Sequence, residues 1–323
     1  AVLAFGGAVY AGLALEESLL LALSVDDFLT GSAMLAFAAG LILWWAARSK
    51  LTVTCEPASD LSRLGLLCAM WRYGEEELLP CRVSTPFEGA SAAIVNVTNV
   101  RNVSRDKLAH LVVVQSESFF DPRRLYAGIR SEVLREFDAL QAEAACCGQL
   151  EVAAWGANTV RTEFAFLSGL AGESLGVHRF NPYRRLARQG VATLASFLRD
   201  RGYRTICVHP YAASFYDRHK VFPSLGFDDF IDIRSFAGAA RSGPYVGDLA
   251  VAEKVCSLLT SASEQPLFVF VISMENHGPL HLEQVRSDEA AGLYSVPPAG
   301  CDELTIYLRH LRNADRMAGM LRA

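Results

Sequence analysis

Apolar positions fall into two regimes along this chain. Residues 1–47 hold long uncharged runs, whereas residues 108–323 alternate short apolar stretches with helical spacing. Residues 29–47 are 19 positions without a charge, long enough to cross a bilayer as a helix, and residues 1–15 form a second, slightly short run. Trp44 and Trp45, followed by Arg48 and Lys50, suit an interfacial belt with a basic flank. Beyond residue 108, the stretches 111–114 and 266–272 are continuously apolar, as strands covered on both faces would be. Residues 149–154 and 203–208 read as two further strands. Helical spacing is predicted over 131–145, 161–170, 191–201, 214–225, 248–260 and 301–322, with Gly172, Gly202 and Gly226 as stop signals.

Helix alternating with buried strand predicts an α/β fold, a mostly parallel sheet sandwiched by helices and preceded by transmembrane helices. The chain divides on this reading into transmembrane segments over 1–50, a connector over 51–107 with a short amphipathic piece at 61–71, and a main domain over 108–323. There are 30 basic and 35 acidic residues, a net charge of −5, which offers no basic field for nucleic acid. The eight cysteines include no CxxC pair, so a zinc knuckle is excluded, and the count leaves room for one disulfide, Cys55 with Cys81. Charge bias alone would put the residues after 50 in the cytoplasm.

In parallel sheets the chemistry lies beyond the carboxyl ends of the strands. Glu117, His209 and His277 each follow a predicted strand, and this common placement is the sequence's internal signal of a site. Glu117 can supply a hard oxygen ligand to a divalent cation, or serve as an ordinary turn acid. Thr159 stands at a helix start, where unpaired backbone N–H groups favour an alkoxide and bind phosphate oxygens. The same position suits a structural N-cap. Asn158 either bonds a phosphoryl oxygen or holds the turn. Arg218 can grip a phosphate with two parallel hydrogen bonds, with Phe215 and Tyr216 covering a small head group; the bland alternative is a surface arginine beside core aromatics. His209 and His277 are singly more often structural, but two after strands at one sheet edge favour a shared pocket. No formylglycine signature (Cys-x-Pro-x-Arg or Cys-x-Ala-x-Arg), GxSxG, Walker A, GxGxxG or HExxH is present.

The order VVVQSES, NTVRTEF, a GYRT strand with a histidine, SFYDRHKVF, and FVFVISMENHGPL resembles the lipoteichoic acid synthase and phosphoglycerol transferase family of the alkaline phosphatase and sulfatase superfamily, over about residues 108–320. The resemblance implies a sulfatase-like catalytic domain over 108–323, with Glu117 as a metal ligand and Thr159 as both ligand and covalent nucleophile. It implies that Arg218, Phe215 and Tyr216 hold the glycerol phosphate head, with His277 and His209 as substrate histidines. It further implies a divalent metal, commonly manganese, with magnesium or zinc as alternatives. The expected reaction takes phosphoglycerol from phosphatidylglycerol or a related phospholipid to a glycan or glycerol-phosphate acceptor. The catalytic domain is then expected outside the cytoplasmic (inner) membrane, on the extracytoplasmic or periplasmic side, against the charge bias. The family completes its metal site with an Asp-His pair on a later strand that this chain does not contain. The chain is therefore expected to be part of a longer protein, C-terminally incomplete and inactive by itself. Other expectations for the same residues are phosphoethanolamine transfer, hydrolysis of a phosphate or sulfate ester, or a degenerate domain without catalysis.

Overall fold

The computed structural model describes residues 24–48, 51–89, 108–153, 158–262, 265–286, 288–300 and 302–322. The chain forms two compact units, Ala1–Leu79 and Pro80–Ala323. The apolar run predicted over 1–15 lies outside the described residues.

In the first unit, helix α1 (Val25–Arg48) carries the apolar run. Its 24 residues span about 36 Å at 1.5 Å per residue, against a bilayer core of about 30 Å. It is the helix, among the described residues, that is long and apolar enough to cross a membrane. Phe28, Leu35, Phe37, Ile42, Trp44 and Trp45 on it are exposed. Helix α2 (Pro57–Leu78) begins with Pro57 in its first turn and breaks at Gly65. It is much longer than the short amphipathic piece expected at 61–71. Its buried Asp60 accepts hydrogen bonds from the Thr54 and Cys55 backbones and from the Tyr73 hydroxyl. Burial opposes the charged carboxylate, but those bonds hold its pKa below the ordinary range. Cys55 and Cys81, the pair allowed for by the cysteine count, fall in different units.

The second unit is built on a four-stranded sheet. Its elements are β1 (Leu111–Gln115), α3 (Arg135–Glu143), α4 (Val160–Ser168), α5 (Leu194–Arg199), β2 (Arg204–Val208), α6 (Arg218–Ser224), β3 (Asp229–Ile231), the hairpin β4 (Arg241–Ser242) and β5 (Tyr245–Val246), α7 (Asp248–Ser261), β6 (Leu267–Ile272), α8 (Glu289–Leu293) and α9 (Asp302–Arg322). The strand order is β1-β6-β2-β3 and every pairing is parallel. Strand β6 is central, and all six of its residues are buried. Phe268, Phe270 and Ile272 join one core with Val160, Phe164 and Leu167 of α4 and Val221 and Phe222 of α6. Leu267, Val269 and Val271 join the opposite core with Val251 and Val255 of α7 and Met317 of α9. Side chains alternate faces along a strand, so a strand covered on both sides must be apolar at every position.

Residues 149–153 form no strand; Leu150 and Val152 are exposed, and residue 154 lies outside the described set. Their alternating pattern pairs with no strand among the described residues. Strand β3 was not anticipated, because three residues beginning with an aspartate carry too little periodicity. Helix α5 starts three residues later than predicted. Thr193 accepts from the Ser196 N–H, and the Ser196 hydroxyl accepts from the Thr193 N–H, a reciprocal cap that fixes the start.

Gly226 closes α6 at φ +95°, and a Cβ there would come 2.6 Å from the Ser196 backbone at the head of α5. Gly226→Ala is therefore expected to destabilise the fold by about 1–3 kcal/mol, read as an earlier thermal transition. An unchanged transition would mean that the α5–α6 contact yields freely.

Candidate functional site

Strands β1, β2 and β6 run parallel, so their carboxyl ends open on one edge, and the segments leaving them build a cavity there. Its volume is about 350 Å³. All eight residues singled out in the sequence line it: Glu117, Asn158, Thr159, His209, Phe215, Tyr216, Arg218 and His277.

Glu117 lies two residues past β1. Its backbone N–H donates to the Ser273 hydroxyl at 2.9 Å, and Ser273 N–H donates back to the Gln115 carbonyl at 3.1 Å. The segment after β1 is thus stitched to the segment after β6. The Ser118 hydroxyl donates to Glu117 Oε1 at 3.0 Å.

Thr159 occupies the N-cap position of α4, yet its side chain makes no capping hydrogen bond. The hydroxyl is therefore not consumed by the structural role that usually explains a threonine there. Helix α4 forms because Val160, Phe164 and Leu167, at helical spacing, are wholly buried, and Gly169 ends it in the left-handed region at φ +69°. Asn158 precedes Thr159 at φ +57°, and its side-chain oxygen accepts from Tyr216 at 3.3 Å.

Among the described residues, five non-glycine positions have a left-handed φ, and three of them, Ser118, Asn158 and Tyr216, line this cavity. Such backbone is costly for a residue with a Cβ and is retained where a site over-determines it. Tyr216 and Asp217 are consecutive examples, and they split the predicted helix 214–225 into a single turn followed by α6.

Arg218 heads α6 and is only 2% exposed. Its Nη2 donates to Glu163 Oε1 at 2.6 Å, and its Nε lies 3.4 Å from Glu163 Oε2. Tyr183 donates to the same Oε2 at 2.7 Å. Nη1 of Arg218 is buried without a partner. Two of the three guanidinium nitrogens are spent on the fold, and the third remains for a ligand at the cavity. Burial works against the charged arginine, but the Glu163 carboxylate keeps its pKa raised. The guanidinium carbon of Arg218 sits 5.3 Å from the Tyr216 ring centroid, a cation–π distance.

His209 is fully buried, and its Nδ1 lies 2.9 Å from the Ile272 carbonyl. A carbonyl only accepts, so Nδ1 carries the proton and Nε2 offers a lone pair. Burial, followed by the Arg218 charge, pushes its pKa down to about 4, so the ring is neutral at pH 7. His277 is exposed at the rim; its Nδ1 lies 2.7 Å from the Gly278 carbonyl and 3.3 Å from the Tyr245 hydroxyl.

Behind His277, Glu275 is buried and accepts the Asp248 N–H at 2.6 Å, His310 Nδ1 at 3.0 Å and Asn313 Nδ2 at 2.6 Å. His310 is wholly buried, and its Nε2 reaches Glu283 Oε1 at 3.0 Å. Burial opposes its charge, but the hydrogen bond to Glu275 and the charges of Glu283 and Glu275 raise its pKa. Asp248 is pushed well above the carboxylate range by burial and by the neighbouring Glu275 and Glu117 charges.

Glu163, His310 and Glu275 escaped the sequence reading. Glu163 left one signal, a carboxylate on the same stripe as Val160, Phe164 and Leu167, where a charge must find a buried partner.

Comparison with known proteins follows the same lines. The Sulfatase family model matches residues 109–323. Over 179 residues the chain is 36% identical to the capsular polysaccharide biosynthesis protein RkpI of Rhizobium meliloti, covering 55% of this chain and 33% of that protein. The chain therefore spans about a third of the length of that curated relative. The lipoteichoic acid synthase LtaP of Listeria monocytogenes superposes with a TM-score of 0.54 at 22% identity, covering 66% of this chain and 51% of LtaP. The Streptococcus pyogenes phosphoglycerol transferase GacH, solved in complex with sn-glycerol-1-phosphate, gives a TM-score of 0.53 at 22% identity, covering 75% of this chain and 65% of GacH. At that identity the two structures share the fold.

Two outcomes follow from the geometry. Glu163→Gln removes one charge of a buried pair and is expected to cost about 3 kcal/mol or more. In a domain of this size that is a fall in Tm of roughly 6–12 °C; a Tm within about 2 °C of the parent would show that the pair is dispensable. For His209 the folded pKa lies below the unfolded value, so the unfolded chain binds more protons between about pH 6.5 and about pH 4. Its contribution to stability is complete above that window and is lost as pH falls through it. The Tm of His209→Asn should therefore fall less steeply with acid than that of the parent; parallel curves would place the charge elsewhere.

Proposed function

The chain belongs to the Sulfatase family, and from that premise we propose that it is a membrane-anchored transferase that moves a phosphoglycerol group from phosphatidylglycerol to a glycan or glycerol-phosphate acceptor. The single observation that carries this reading is the convergence of Thr159, Arg218, His209 and His277 with Glu117 on one cavity. A likeness in fold to a lipoteichoic acid synthase and a phosphoglycerol transferase is consistent with it. The description of RkpI as a capsular polysaccharide biosynthesis protein supports a glycan acceptor. The family's formylglycine signatures are absent from the sequence, which favours a hydroxyl nucleophile.

In this reading the Thr159 oxygen attacks phosphorus. The bond from phosphorus to the diacylglycerol oxygen breaks, and the lipid alcohol leaves with a proton. An acceptor hydroxyl then displaces Thr159, passing its proton back to the threonine oxygen. Arg218 Nη1 and His277 face the charge that gathers on the non-bridging oxygens. His209, neutral with its lone pair on Nε2, accepts a hydrogen bond from a hydroxyl of the head group rather than donating to phosphate. Phe215 and Tyr216, 4.5 Å apart between centroids, cover the glycerol.

Glu117 and Thr159 are hard oxygen donors that would hold a divalent cation such as manganese, magnesium or zinc. A bound cation would lower the pKa of the threonine hydroxyl. Among the described residues no three His, Cys, Asp or Glu side chains converge to complete such a site, so the steps above rest on the chain's own groups. Helix α1 as anchor brings the cavity to a lipid donor, with the second unit on the extracytoplasmic side.

The test uses membranes from cells expressing the protein, with phosphatidylglycerol and phosphatidylethanolamine labelled in the head group. Label is expected on Thr159 from the first lipid, located by peptide mass spectrometry, and is expected to vanish in Thr159→Ala. Label that persists in the variant would remove Thr159 from its role, and label from phosphatidylethanolamine alone would reassign the donor.

A further inference from the structure

A second cavity in the same unit, of about 510 Å³, shares no lining residue with the first. It is walled by the β4–β5 hairpin, by residues 284–286 and 288–293, and by α9. Five guanidinium groups border it, those of Arg241, Arg286, Arg309, Arg312 and Arg316, against two carboxylates, Asp288 and Glu289. Glu289 is already committed. It takes Arg309 through both oxygens, at 2.5 and 2.7 Å, and lies 3.6 Å from Arg286. Arg241 donates to the Pro244 carbonyl and forms no ion pair among the described residues. Arg312 and Arg316 form no ion pair among the described residues. They stand four residues apart on α9, so their like charges face the same side and repel.

Surface arginines on a helix are most often a solvated face. Three features count against that here. The surface is concave, and the cations reach it from separate elements of the fold. The chain's net charge is −5, so a basic cavity is not a by-product of composition. The rest of the lining is polar, with Ser242, Gln284 and Asn313, and its one large apolar residue, Leu293, is itself 1% exposed. No aromatic ring is available to stack on a sugar face or a base, and no apolar wall is available for an acyl chain. Planar guanidinium forks converging on a polar hollow fit an oxyanion, which they bind through paired hydrogen bonds.

We propose that this cavity is an oxyanion-binding site that takes the phosphate or carboxylate group of a polar, lipid-free ligand, with Arg312 and Arg316 as its principal cations. The site adjoins the buried network behind the first cavity. Ser242 Oγ lies 3.2 Å from His310 Nδ1, and Asn313 Nδ2 donates to Glu275 Oε1 at 2.6 Å, two residues before His277. Binding here is a property independent of the transfer reaction, and its test reads binding alone.

The full chain in detergent at low ionic strength is titrated calorimetrically with inorganic phosphate and, separately, with glucuronate, which carries a carboxylate and no phosphorus. At least one anion is expected to bind, and the double variant R312Q/R316Q is expected to weaken that binding by about tenfold or more. His277→Ala is expected to leave unchanged the component of binding that R312Q/R316Q weakens. Binding of phosphate alone, of glucuronate alone, or of both names the source of the anion, and each supports the site. Failure of both anions to bind, equal binding by R312Q/R316Q, or loss in His277→Ala of the same component that R312Q/R316Q removes would overturn it. Both arginines are exposed, so the fold should tolerate their replacement. If the double variant melts early, the single variants R312Q and R316Q carry the same comparison.

Discussion

The buried pair between Glu163 and Arg218 is the constraint on which the candidate site depends. Neither side chain is more than 2% exposed. Removing such charges from water costs several kcal/mol per ion, and only a close, well-bonded partner offsets it. Glu163 sits one helical turn after Thr159 on α4, and Arg218 opens α6. The pair therefore fixes the helix that begins at the threonine against the helix that begins at the arginine. It also keeps a permanent positive charge inside a largely dry wall, where a ligand's negative charge is felt far more strongly than in water. Tyr183 donates to Glu163 Oε2 as well, and Arg218 Nη1 is the one buried polar side-chain atom of the cluster without a partner.

The sheet does comparable work for the histidine. The β2–β6 ladder closes with Val208 opposite Val271, so the Ile272 carbonyl lies one residue beyond that pairing. His209, the first residue after β2, bonds that carbonyl through Nδ1. The end of a strand pairing thereby chooses the tautomer. Burial beside Arg218 then keeps the ring neutral, because a second positive charge in the same wall would have no counter-ion. Arginine and histidine come to hold different roles through placement: one is a fixed cation, the other a fixed acceptor.

Much of this architecture could be read from residue order. Strand β6 was legible because burial on both faces forces an unbroken apolar run, and the shared cavity of the candidate residues was legible because parallel strands bring their carboxyl ends to one edge. Glu117, His209 and His277 needed only that topology. Short elements were less readable. Residues 149–153 alternate like a strand but pair with none among the described residues, and β3 is a strand because β2 lies beside it, not because its three residues demand it. The start of α5 hung on the Thr193–Ser196 cap. Glu163, Glu275 and His310 were invisible for another reason. A buried charge is specified by its partner, and these partners lie 55 residues away for Glu163 and Arg218, and 35 for Glu275 and His310.

The network behind His277 extends the same logic to two neighbouring carboxyls. Glu275 receives three hydrogen bonds, from a backbone N–H, an imidazole and an amide, and these hold its pKa below the ordinary range although burial works the other way. Asp248, buried beside it, faces the Glu275 and Glu117 charges and is driven well above that range. Environment alone thus drives the two neighbouring carboxyls in opposite directions. His310 lies between Glu275 and Glu283, with Nδ1 and Nε2 each 3.0 Å from a carboxylate oxygen. The segment carrying His277 is then held from behind by bonds that ask nothing of its outer face. The same division recurs across the cavity: Arg218 gives Nη2 and Nε to Glu163, His209 gives Nδ1 to Ile272, His277 gives Nδ1 to Gly278, and Glu117 gives its backbone N–H to Ser273. In each case the fold uses one polar group of the residue to fix its position and leaves another for a ligand.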